Sequence, residues 1–362
     1  MDPRYSRQVV LPGFGQPAQA RLTAARVLVV GAGGLGSAVL PALAAAGIGT
    51  IGIVDDDRVE LSNLHRQTIH RTDAVGTPKV TSAAATLQAL NPVTVIPHET
   101  RLTAQNALQL FADYDVVVDG SDNFPTRYLV ADAAYLSGRT VVWGAVSQYG
   151  GQASVTLVGT PGYRDLFPTP PPPGSVESCE VGGVLPTTVG VIGSIMATEV
   201  IKLVTGIGVP LVGRVTTYDA ISGAFRELSF GRDPHAESIT GLIDYQAFCG
   251  EVSTSSTTEG GESRSITAAE LASETGITLI DVRETWEAEL ASLPGALLIP
   301  LGTLPDVIGS LDPAERFVVY CHHGIRSQTA LEQLLAAGLD ARHLEGGIDA
   351  WAKTVDPTMA RY

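Results

Sequence analysis

Short apolar runs alternate with longer segments of helical periodicity through the first half of the chain. The apolar runs predict strands at residues 27–30, 50–54, 93–96, 116–118, 141–142 and 153–158. Helical patterns lie between several of them, notably at residues 77–90 and 126–136. Because strands alternate with helices, we expect an α/β fold with a doubly wound, largely parallel sheet.

The pattern changes twice towards the C-terminus. A proline run at residues 168–174 predicts an exposed loop, and a helical pattern then extends from about Thr187 to Leu203, closed by Gly206. Residues 251–264 are mostly small and polar, which is typical of a flexible linker. We therefore predict a first domain at residues 1–250, this linker, and a second, smaller α/β domain at residues 265–362. The strands expected in the second domain are 278–281, 296–299 and 317–320, followed by a helix at 327–337.

Composition narrows the class of protein. The chain has 362 residues, of which 44% are hydrophobic and 17% charged, as in ordinary globular proteins. A net charge of −15 argues against nucleic-acid binding, which requires a basic face. Residues 27–54 carry no charge, but glycines and Pro41 interrupt them, which favours a buried βαβ unit over a membrane helix. We expect a cytoplasmic protein. Within the βαβ unit, Pro41 should kink the helix or leave a backbone carbonyl group without a hydrogen bond.

A glycine-rich turn is the first candidate site. The sequence GAGGLG at residues 31–36 follows an apolar strand and opens a helix, where backbone N–H groups can bind phosphate. The next strand ends at Asp55, which can accept hydrogen bonds from a ribose. These features alone also fit an NAD(P)-dependent oxidoreductase. The polar SNLHRQ segment at residues 62–67 favours ATP instead.

Seven motifs and the single residue Asp55 occur in the order expected for one family across the first 250 residues. Besides the turn, Asp55 and SNLHRQ, they include RYSRQ at 4–8, VGTPK at 75–79, NP at 91–92, DGSDN at 119–123 and GS at 193–194. This part of the chain resembles the ThiF/MoeB branch of the ubiquitin-activating superfamily. The resemblance implies a Rossmann-like domain that uses ATP and Mg²⁺ to adenylate the C-terminal glycine of a ubiquitin-like sulfur carrier. Such carriers, of the MoaD, ThiS or CysO type, end in Gly-Gly.

The resemblance also implies roles for individual residues. Asp55 would bind the ribose, and Asp122 would coordinate Mg²⁺ with Asn123 beside it. Arg7 would reach into a neighbouring subunit's site, which implies a homodimer. The remaining nucleotide-binding residues would be Gly31, Gly33, Gly34, Ser62, Asn63, Leu64, His65, Arg66 and Lys79, with Asn63, Arg66 and Lys79 at the phosphates.

One motif of many relatives is missing. They hold a structural zinc with two CxxC pairs, a tetrahedral thiolate site. Here the corresponding segments read GYRD at residues 162–165 and DPHAES at 233–238, without cysteine. We therefore expect no structural zinc, and other packing must connect these segments.

Cys321 is the second candidate site. It follows an apolar strand, in the sequence CHHGIRS at residues 321–327, on a glycine-containing loop that leads into a helix. Backbone N–H groups and the cation of Arg326 would stabilise a thiolate or persulfide there. With DVRE at 281–284, PGA at 294–296 and EGG at 345–347, the domain resembles a rhodanese. His322 and His323 are not assigned a catalytic role.

The other two cysteines differ in their expected roles. By the resemblance, a Cys321 persulfide attacks the acyl-adenylate, and Cys179 resolves the acyl disulfide to release a carrier thiocarboxylate. Cys249 lies among aromatic residues, and we interpret it as structural. The sulfur donor would be thiosulfate or a cysteine desulfurase.

The whole chain resembles bacterial adenylyltransferase–sulfurtransferases in which these two domains are fused. That resemblance implies a bifunctional enzyme of molybdenum-cofactor biosynthesis, cysteine biosynthesis or both. Two alternatives stay open at this point. One is the oxidoreductase, which gives no role to Arg66, Lys79 and Asp122; the other is a non-catalytic scaffold whose rhodanese domain only docks a carrier.

Overall fold

The structure, a computed structural model, describes residues 2–171, 182–234, 239–250 and 264–360. The chain divides into two compact units, Met1–Thr254 and Ser255–Tyr362. Most of the predicted linker, Cys179 and the last residues of the proline run lie outside the described residues.

The first unit is built on one eight-stranded sheet with the order β3-β2-β1-β4-β5-β6-β7-β8. The strands are β1 (Arg26–Val30), β2 (Thr50–Val54), β3 (Thr94–His98), β4 (Val116–Asp119), β5 (Thr140–Ser147), β6 (Gly150–Thr156), β7 (Arg214–Asp219) and β8 (Ala224–Ser229). The strands from β3 to β5 are parallel, and the pairs from β5 to β8 are antiparallel. The largely parallel α/β sheet expected from the sequence is confirmed, and the β7–β8 hairpin is an addition to it.

Helices cover both faces of this sheet. They are α1 (Ser6–Val9), α2 (Gly15–Ala24), α3 (Gly34–Ala46), α4 (Lys79–Leu90), α5 (Ala107–Ala112), α6 (Phe124–Ser137), α7 (Tyr163–Leu166), α8 (Pro186–Thr205) and α9 (Tyr245–Phe248). Helices α2, α3, α4 and α8 share one apolar core with the sheet. Helices α5, α6 and α9 share the other, as a doubly wound fold requires.

Helices α3 and α8 pack closely behind the glycine turn. A Cβ on Gly193 of α8 would lie 2.5 Å from the Cβ of Ala38 on α3, so glycine permits this approach. Helix α3 continues through Pro41, because the surrounding core holds it in place. Helix α8 is long and apolar enough to cross a membrane, but Ile192, Met196 and Val200 are fully buried in the core of the domain.

A network of ion pairs and hydrogen bonds forms around residues 162–165, one of the two segments in which the expected cysteines are missing. Arg164 donates to both carboxylate oxygens of Asp132, at 2.6 and 2.7 Å, and the hydroxyl of Tyr245 donates to the same carboxylate at 2.7 Å. The Asp165 carboxylate accepts from the backbone N–H of Asp233 at 2.9 Å. This last bond joins residues 162–165 to the described start of residues 233–238.

The second unit contains a five-stranded parallel sheet with the order β11-β10-β12-β13-β9. Its strands are β9 (Ser265–Ile266), β10 (Thr278–Asp281), β11 (Leu297–Leu298), β12 (Arg316–Tyr320) and β13 (Asp340–Leu344). Its helices are α10 (Ala268–Ser273), α11 (Thr285–Leu290), α12 (Leu304–Val307), α13 (Ile325–Ala336) and α14 (Gly347–Thr354). One apolar core lies on each face of this sheet, so the smaller α/β domain is confirmed.

The Asp132 network should contribute measurably to stability. Asp132→Asn leaves Arg164 without its anionic partner, and the side chain of Arg164 is only 25% exposed. We expect the free energy of unfolding to fall by about 3 kcal/mol, as when one partner of a buried ion pair is removed. Urea denaturation measures this change.

Asp73→Asn is the matched control. It breaks an ion pair with Arg71 in which both side chains are largely exposed, so the loss should stay below about 1 kcal/mol. Equal losses in the two variants would show that the Asp132 network adds nothing beyond a surface pair.

Candidate active sites

The glycine turn is shaped by close backbone contacts. Gly31 has φ +93°, and a Cβ there would lie 3.1 Å from the carbonyl oxygen of Gly120. A Cβ on Gly36 would lie 2.2 Å from the carbonyl oxygen of Gly31, so a side chain is excluded. Helix α3 begins at Gly34, directly after the turn, and directs its N-terminal N–H groups into the space in front of the sheet.

Ala32, in the middle of this turn, is held from two sides. Its N–H donates to Asp55 Oδ2 at 2.8 Å, and its carbonyl oxygen lies 2.9 Å from His70 Nε2. The other ring nitrogen of His70 lies 3.0 Å from the hydroxyl of Ser82. Burial lowers the pKa of His70, which favours a neutral ring that donates from Nε2 to Ala32 and accepts from Ser82 at Nδ1. The turn is thereby fixed before any ligand binds.

A cavity of about 240 Å³ opens in front of this turn, at the carboxyl ends of the parallel strands. Eight of the sequence-predicted residues line it: Gly31, Gly33, Gly34, Asp55, Arg66, Lys79, Asp122 and Asn123. They come from separate segments of the chain and meet because strands β1, β2 and β4 end at the same edge of the sheet. Gln67 also lines the cavity, and its Oε1 atom is buried with no hydrogen-bond partner in the described structure.

Two cations of the cavity are held by side chains. The ammonium of Lys79, which is 5% exposed, lies 2.7 Å from Asp57 Oδ2. The guanidinium of Arg66 donates to Asn63 Oδ1 at 2.7 Å. Asn63 therefore positions Arg66. Burial raises the pKa of Asp55, while Lys79 and the N–H groups of Ala32 and Asp57 oppose that shift.

The loop after β4 is ordered by a buried arginine. Arg127 donates to the carbonyl oxygens of Gly144 and Ser121, both at 2.6 Å. Asp119 accepts from the backbone and the hydroxyl of Ser121. These bonds hold the exposed Asp122 at the rim of the cavity. Asn123 also caps helix α6, because its Oδ1 accepts from the N–H of Thr126 at 3.0 Å.

Five predicted nucleotide-site residues, Arg7, Ser62, Asn63, Leu64 and His65, are not among the residues that line this cavity in the described structure. Ser62, His65 and Arg7 are exposed, and Leu64 is half-buried. Ser62 contributes its carbonyl oxygen to a contact with the His65 ring at 3.1 Å. Cys179 lies outside the described residues.

In the second domain, Cys321 lies at the end of β12 and is 2% exposed. Its Sγ accepts from the backbone N–H of Gly324 at 3.1 Å and lies 3.7 Å from the hydroxyl of Ser327. Helix α14 supports the loop from outside, since the N–H of Ile348 donates to the carbonyl oxygen of Cys321 at 2.9 Å. A Cβ on Gly347 would lie 2.4 Å from that same oxygen, which accounts for the glycine pair of the EGG motif.

Arg326, the cation of the loop, is paired with an acidic side chain of a neighbouring helix. Its guanidinium makes a bidentate pair with Glu287 of α11, with both N–O distances at 2.7 Å. Glu287 is 3% exposed, so this pair is well shielded from water. Arg326 thus connects the loop to α11, and its charge is neutralised by the carboxylate.

The two histidines after Cys321 stack on each other, with ring centroids 3.9 Å apart and an interplanar angle of 18°. Burial and the His323 ring lower the pKa of His322 to about 4, against the opposite effect of Asp349 and Glu287. His323 Nδ1 lies 3.8 Å from Asp349 Oδ2. At neutral pH, His322 adds no positive charge to the loop.

Sequence reasoning missed several residues that build these sites, notably His70, Asp57, Arg127 and Glu287. The DxD spacing of Asp55 and Asp57, directly after a strand, was a signal for Asp57. His70 and Arg127 gave no local signal, because their partners, Ala32 and Gly144, are distant in the sequence.

Comparison with known families and proteins identifies relatives of both domains. The model of the ThiF family matches residues 5–239, and that of the Rhodanese-like domain matches residues 266–354. The "Probable adenylyltransferase/sulfurtransferase MoeZ" of Mycobacterium tuberculosis is 46% identical, over 99% of this chain and 95% of its own length. "Adenylyltransferase and sulfurtransferase MOCS3" of Anopheles gambiae is 41% identical, over 99% of this chain and 88% of its own.

The first domain has relatives of its own. The "Sulfur carrier protein adenylyltransferase" of Thermus thermophilus is 51% identical over 68% of this chain and 96% of its own length. Among solved structures, that of E. coli MccB with ATP matches with a TM-score of 0.59 at 21% identity, over 66% of this chain and 73% of that one. This structural match supports the fold.

The low pKa of His322 can be measured directly. We expect its ring to remain neutral well below pH 6 and to protonate near pH 4, because burial disfavours the cation. An NMR titration of the histidine ring protons, with His322→Gln to assign the signal, measures this pKa. A midpoint near 6.5 would show that the ring is solvated.

Because the pKa of His322 is lower in the folded than in the unfolded state, His322 should destabilise the fold as the pH falls from about 6.5 towards 4.

Proposed function

The chain belongs to the ThiF family and carries a C-terminal rhodanese-like domain, and from this premise we propose that it activates a ubiquitin-like sulfur carrier with ATP and then transfers sulfur to it. The observation that carries the proposal is the meeting of Arg66, Lys79 and Asp122 at a glycine turn, in a chain that also places Cys321 on a sulfur-binding loop. The printed names of the relatives support both half-reactions.

In the first half-reaction, the C-terminal carboxylate of the carrier attacks the α-phosphorus of ATP, and pyrophosphate leaves. Asp55 would accept from the ribose, and the N–H groups at the start of α3 would bind phosphate oxygens. Lys79 and Arg66 would stabilise the negative charge that builds up on the phosphates. Both are preorganised by Asp57 and Asn63, so little reorganisation is needed during the reaction.

The oxygen donors of this cavity fit Mg²⁺, which prefers carboxylate ligands and phosphate oxygens. Asp122 would hold the ion, and Asp55, Asp56 and Asp57, whose carboxylate oxygens lie within 4.8 Å of one another, also line the cavity. Bound Mg²⁺ would screen the charge of the phosphates.

In the second half-reaction, the outer sulfur of a Cys321 persulfide attacks the acyl carbon of the adenylate, and AMP leaves. This forms an acyl disulfide between the carrier and Cys321. The Cys179 thiolate would then attack the Cys321 sulfur, which releases the carrier thiocarboxylate and leaves a disulfide for a thiol reductant to reduce. The N–H of Gly324 would stabilise the persulfide anion.

The domain organisation supports such a transfer. We infer an adenylating domain at residues 1–250, a flexible linker at 251–264 and a rhodanese domain at 265–362. A tether of that length raises the effective concentration of the persulfide to roughly the millimolar range. Sulfur would then reach the adenylate before water does.

We also infer a cytoplasmic homodimer in which Arg7 of one protomer completes the nucleotide site of the other. The exposure of Arg7, away from the cavity of its own chain, is consistent with a role in trans. The product would serve molybdenum-cofactor biosynthesis, cysteine biosynthesis or both.

Asp122→Ala should abolish carrier-dependent ATP–pyrophosphate exchange, because the nucleotide would lose its proposed metal ligand. Asp122 is exposed, so circular dichroism should show an unchanged fold. Asp73→Ala, which removes an exposed carboxylate outside the cavity, is the control and should retain exchange. Near-normal exchange in Asp122→Ala would remove Asp122 from the proposed machinery.

The whole proposal is tested by carrier mass. The full-length protein is incubated with ATP, Mg²⁺, a sulfur donor and a panel of carriers that end in Gly-Gly. We expect one carrier to gain about 16 Da, as sulfur replaces oxygen, and Cys321→Ala to abolish this gain. Cys249→Ala is the matched control and should retain it. If pyrophosphate exchange occurs but no carrier gains mass, with either thiosulfate or a cysteine desulfurase as the sulfur donor, only the adenylation step of the proposal remains.

A further inference from the structure

The first domain contains a second cavity, of about 630 Å³ against about 240 Å³ for the cavity at the glycine turn. Its apolar walls include Val130 of α6, Val141 and Trp143 of β5, and Phe248 of α9. Among the described residues, only Arg127 lines both cavities. A cavity of this volume with apolar and aromatic walls is typical of a site for a small organic molecule.

Three of the four carboxylates that line this second cavity in the described structure are engaged by groups of the protein. Both oxygens of Asp132 accept from Arg164, at 2.6 and 2.7 Å. Asp165 accepts from two backbone N–H groups, at 2.7 and 2.9 Å. Asp119 accepts from the backbone and the hydroxyl of Ser121, at 3.0 and 2.6 Å. A ligand is therefore not needed to satisfy these three carboxylates.

Two arginines that line the second cavity have N–H groups left for a ligand. Arg139 Nη2 donates to the carbonyl oxygen of Ala112 at 2.9 Å, and its buried Nε has no hydrogen-bond partner in the described structure. Arg232 is exposed and has no hydrogen-bond or ion-pair partner among the described residues. The fourth carboxylate, that of Asp233, is also exposed, so water screens its charge. Cations with unused donors favour an anion, and a carboxylate binds them with charge-assisted hydrogen bonds.

We propose that the second cavity is a further ligand site, which binds a carboxylic acid with an apolar body. The carboxylate would accept from the guanidinium of Arg139, and Arg232 would add positive charge at the exposed side of the cavity. The body would lie against the apolar walls around Val141. A neutral molecule of the same shape would bind more weakly, because it forms no charge-assisted hydrogen bond. The proposal uses no residue assigned to adenylation or sulfur transfer and does not depend on either reaction.

The test titrates the full-length protein by isothermal calorimetry with octanoate and phenylacetate, acids with an aliphatic and an aromatic body. Octanol has the same chain as octanoate without the charge, and its Kd should be at least about tenfold higher than that of octanoate. Octylamine, which carries the opposite charge, and acetate, which lacks the body, should not bind at the same concentrations. Equal affinities for octanoate and octanol, or no binding of either acid, would overturn the proposal.

Variants of the two arginines test the carboxylate contact. Arg139→Gln should weaken octanoate binding by at least about tenfold and octanol binding by less than about twofold, because only the carboxylate loses a partner. Arg139→Lys keeps the charge and should restore part of the affinity for octanoate. Arg232→Gln should cause a smaller loss that disappears at high salt. Arg226→Gln removes an exposed cation of β8 outside the cavity and, as the control, should leave both ligands unchanged. Equal weakening of octanoate and octanol by Arg139→Gln would overturn the role of Arg139.

Trp143 reports where the acid binds. It lies in the wall of the second cavity, and its buried indole N–H has no hydrogen-bond partner in the described structure. The other two tryptophans of the chain, Trp286 and Trp351, belong to the second domain. In NMR spectra of the full-length protein with isotope-labelled tryptophan, octanoate should shift the indole signal of Trp143, assigned with Trp143→Phe, and leave the other two in place. Excess ATP should not displace octanoate. A shift confined to Trp286 or Trp351, or displacement by ATP, would overturn the proposal and leave both half-reactions untouched.

Discussion

The Asp55 carboxylate joins the end of β2 to the glycine turn at the end of β1, and the first active site is organised around that contact. Its two oxygens accept from the N–H groups of Ala32 and Asp57. Asp57 in turn binds Lys79, and His70 holds the other side of Ala32. A chain of short contacts thus extends from the buried sheet to the cation at the start of α4. The turn cannot move without disturbing that cation.

Close packing behind the turn makes this arrangement rigid. Gly36 lies against the carbonyl oxygen of Gly31, and Gly193 of α8 lies against Ala38 of α3. Glycine is required at both places because no Cβ fits. Helix α3 is fixed by its side chains in the apolar core, so its N-terminal N–H groups point to the position proposed for the phosphates.

The Cys321 loop relies on a related principle with different groups. N–H groups of helix α14 donate hydrogen bonds to the carbonyl oxygens of Cys321 and His322. Glu287 of α11 accepts hydrogen bonds from Arg326. The Sγ atom of Cys321 accepts a hydrogen bond from the backbone N–H of Gly324 at 3.1 Å. Support from both sides fixes the loop around the buried sulfur, and the guanidinium of Arg326 is paired with the carboxylate of Glu287. Such a loop presents backbone dipoles to its substrate and little net charge.

Much of this molecule could be read from its sequence. Most of the strand positions, the glycine turn, Asp55 and Cys321 follow from local patterns, since hydrophobic runs and turn chemistry act over a few residues. Strands β9 and β13 and the β7–β8 hairpin were not predicted; in the hairpin, β8 is largely exposed and neither strand shows a clear alternation of apolar and polar residues. His70 and Arg127 were missed because their roles arise only when the sheet brings Ala32 and Gly144 to them. The sequence by itself determined the two domains, their families and the residues that carry the chemistry. Only the tertiary structure decided how those residues are charged and held, because ion pairs such as Arg326–Glu287 and the burial of His322 depend on side chains that are distant in the sequence.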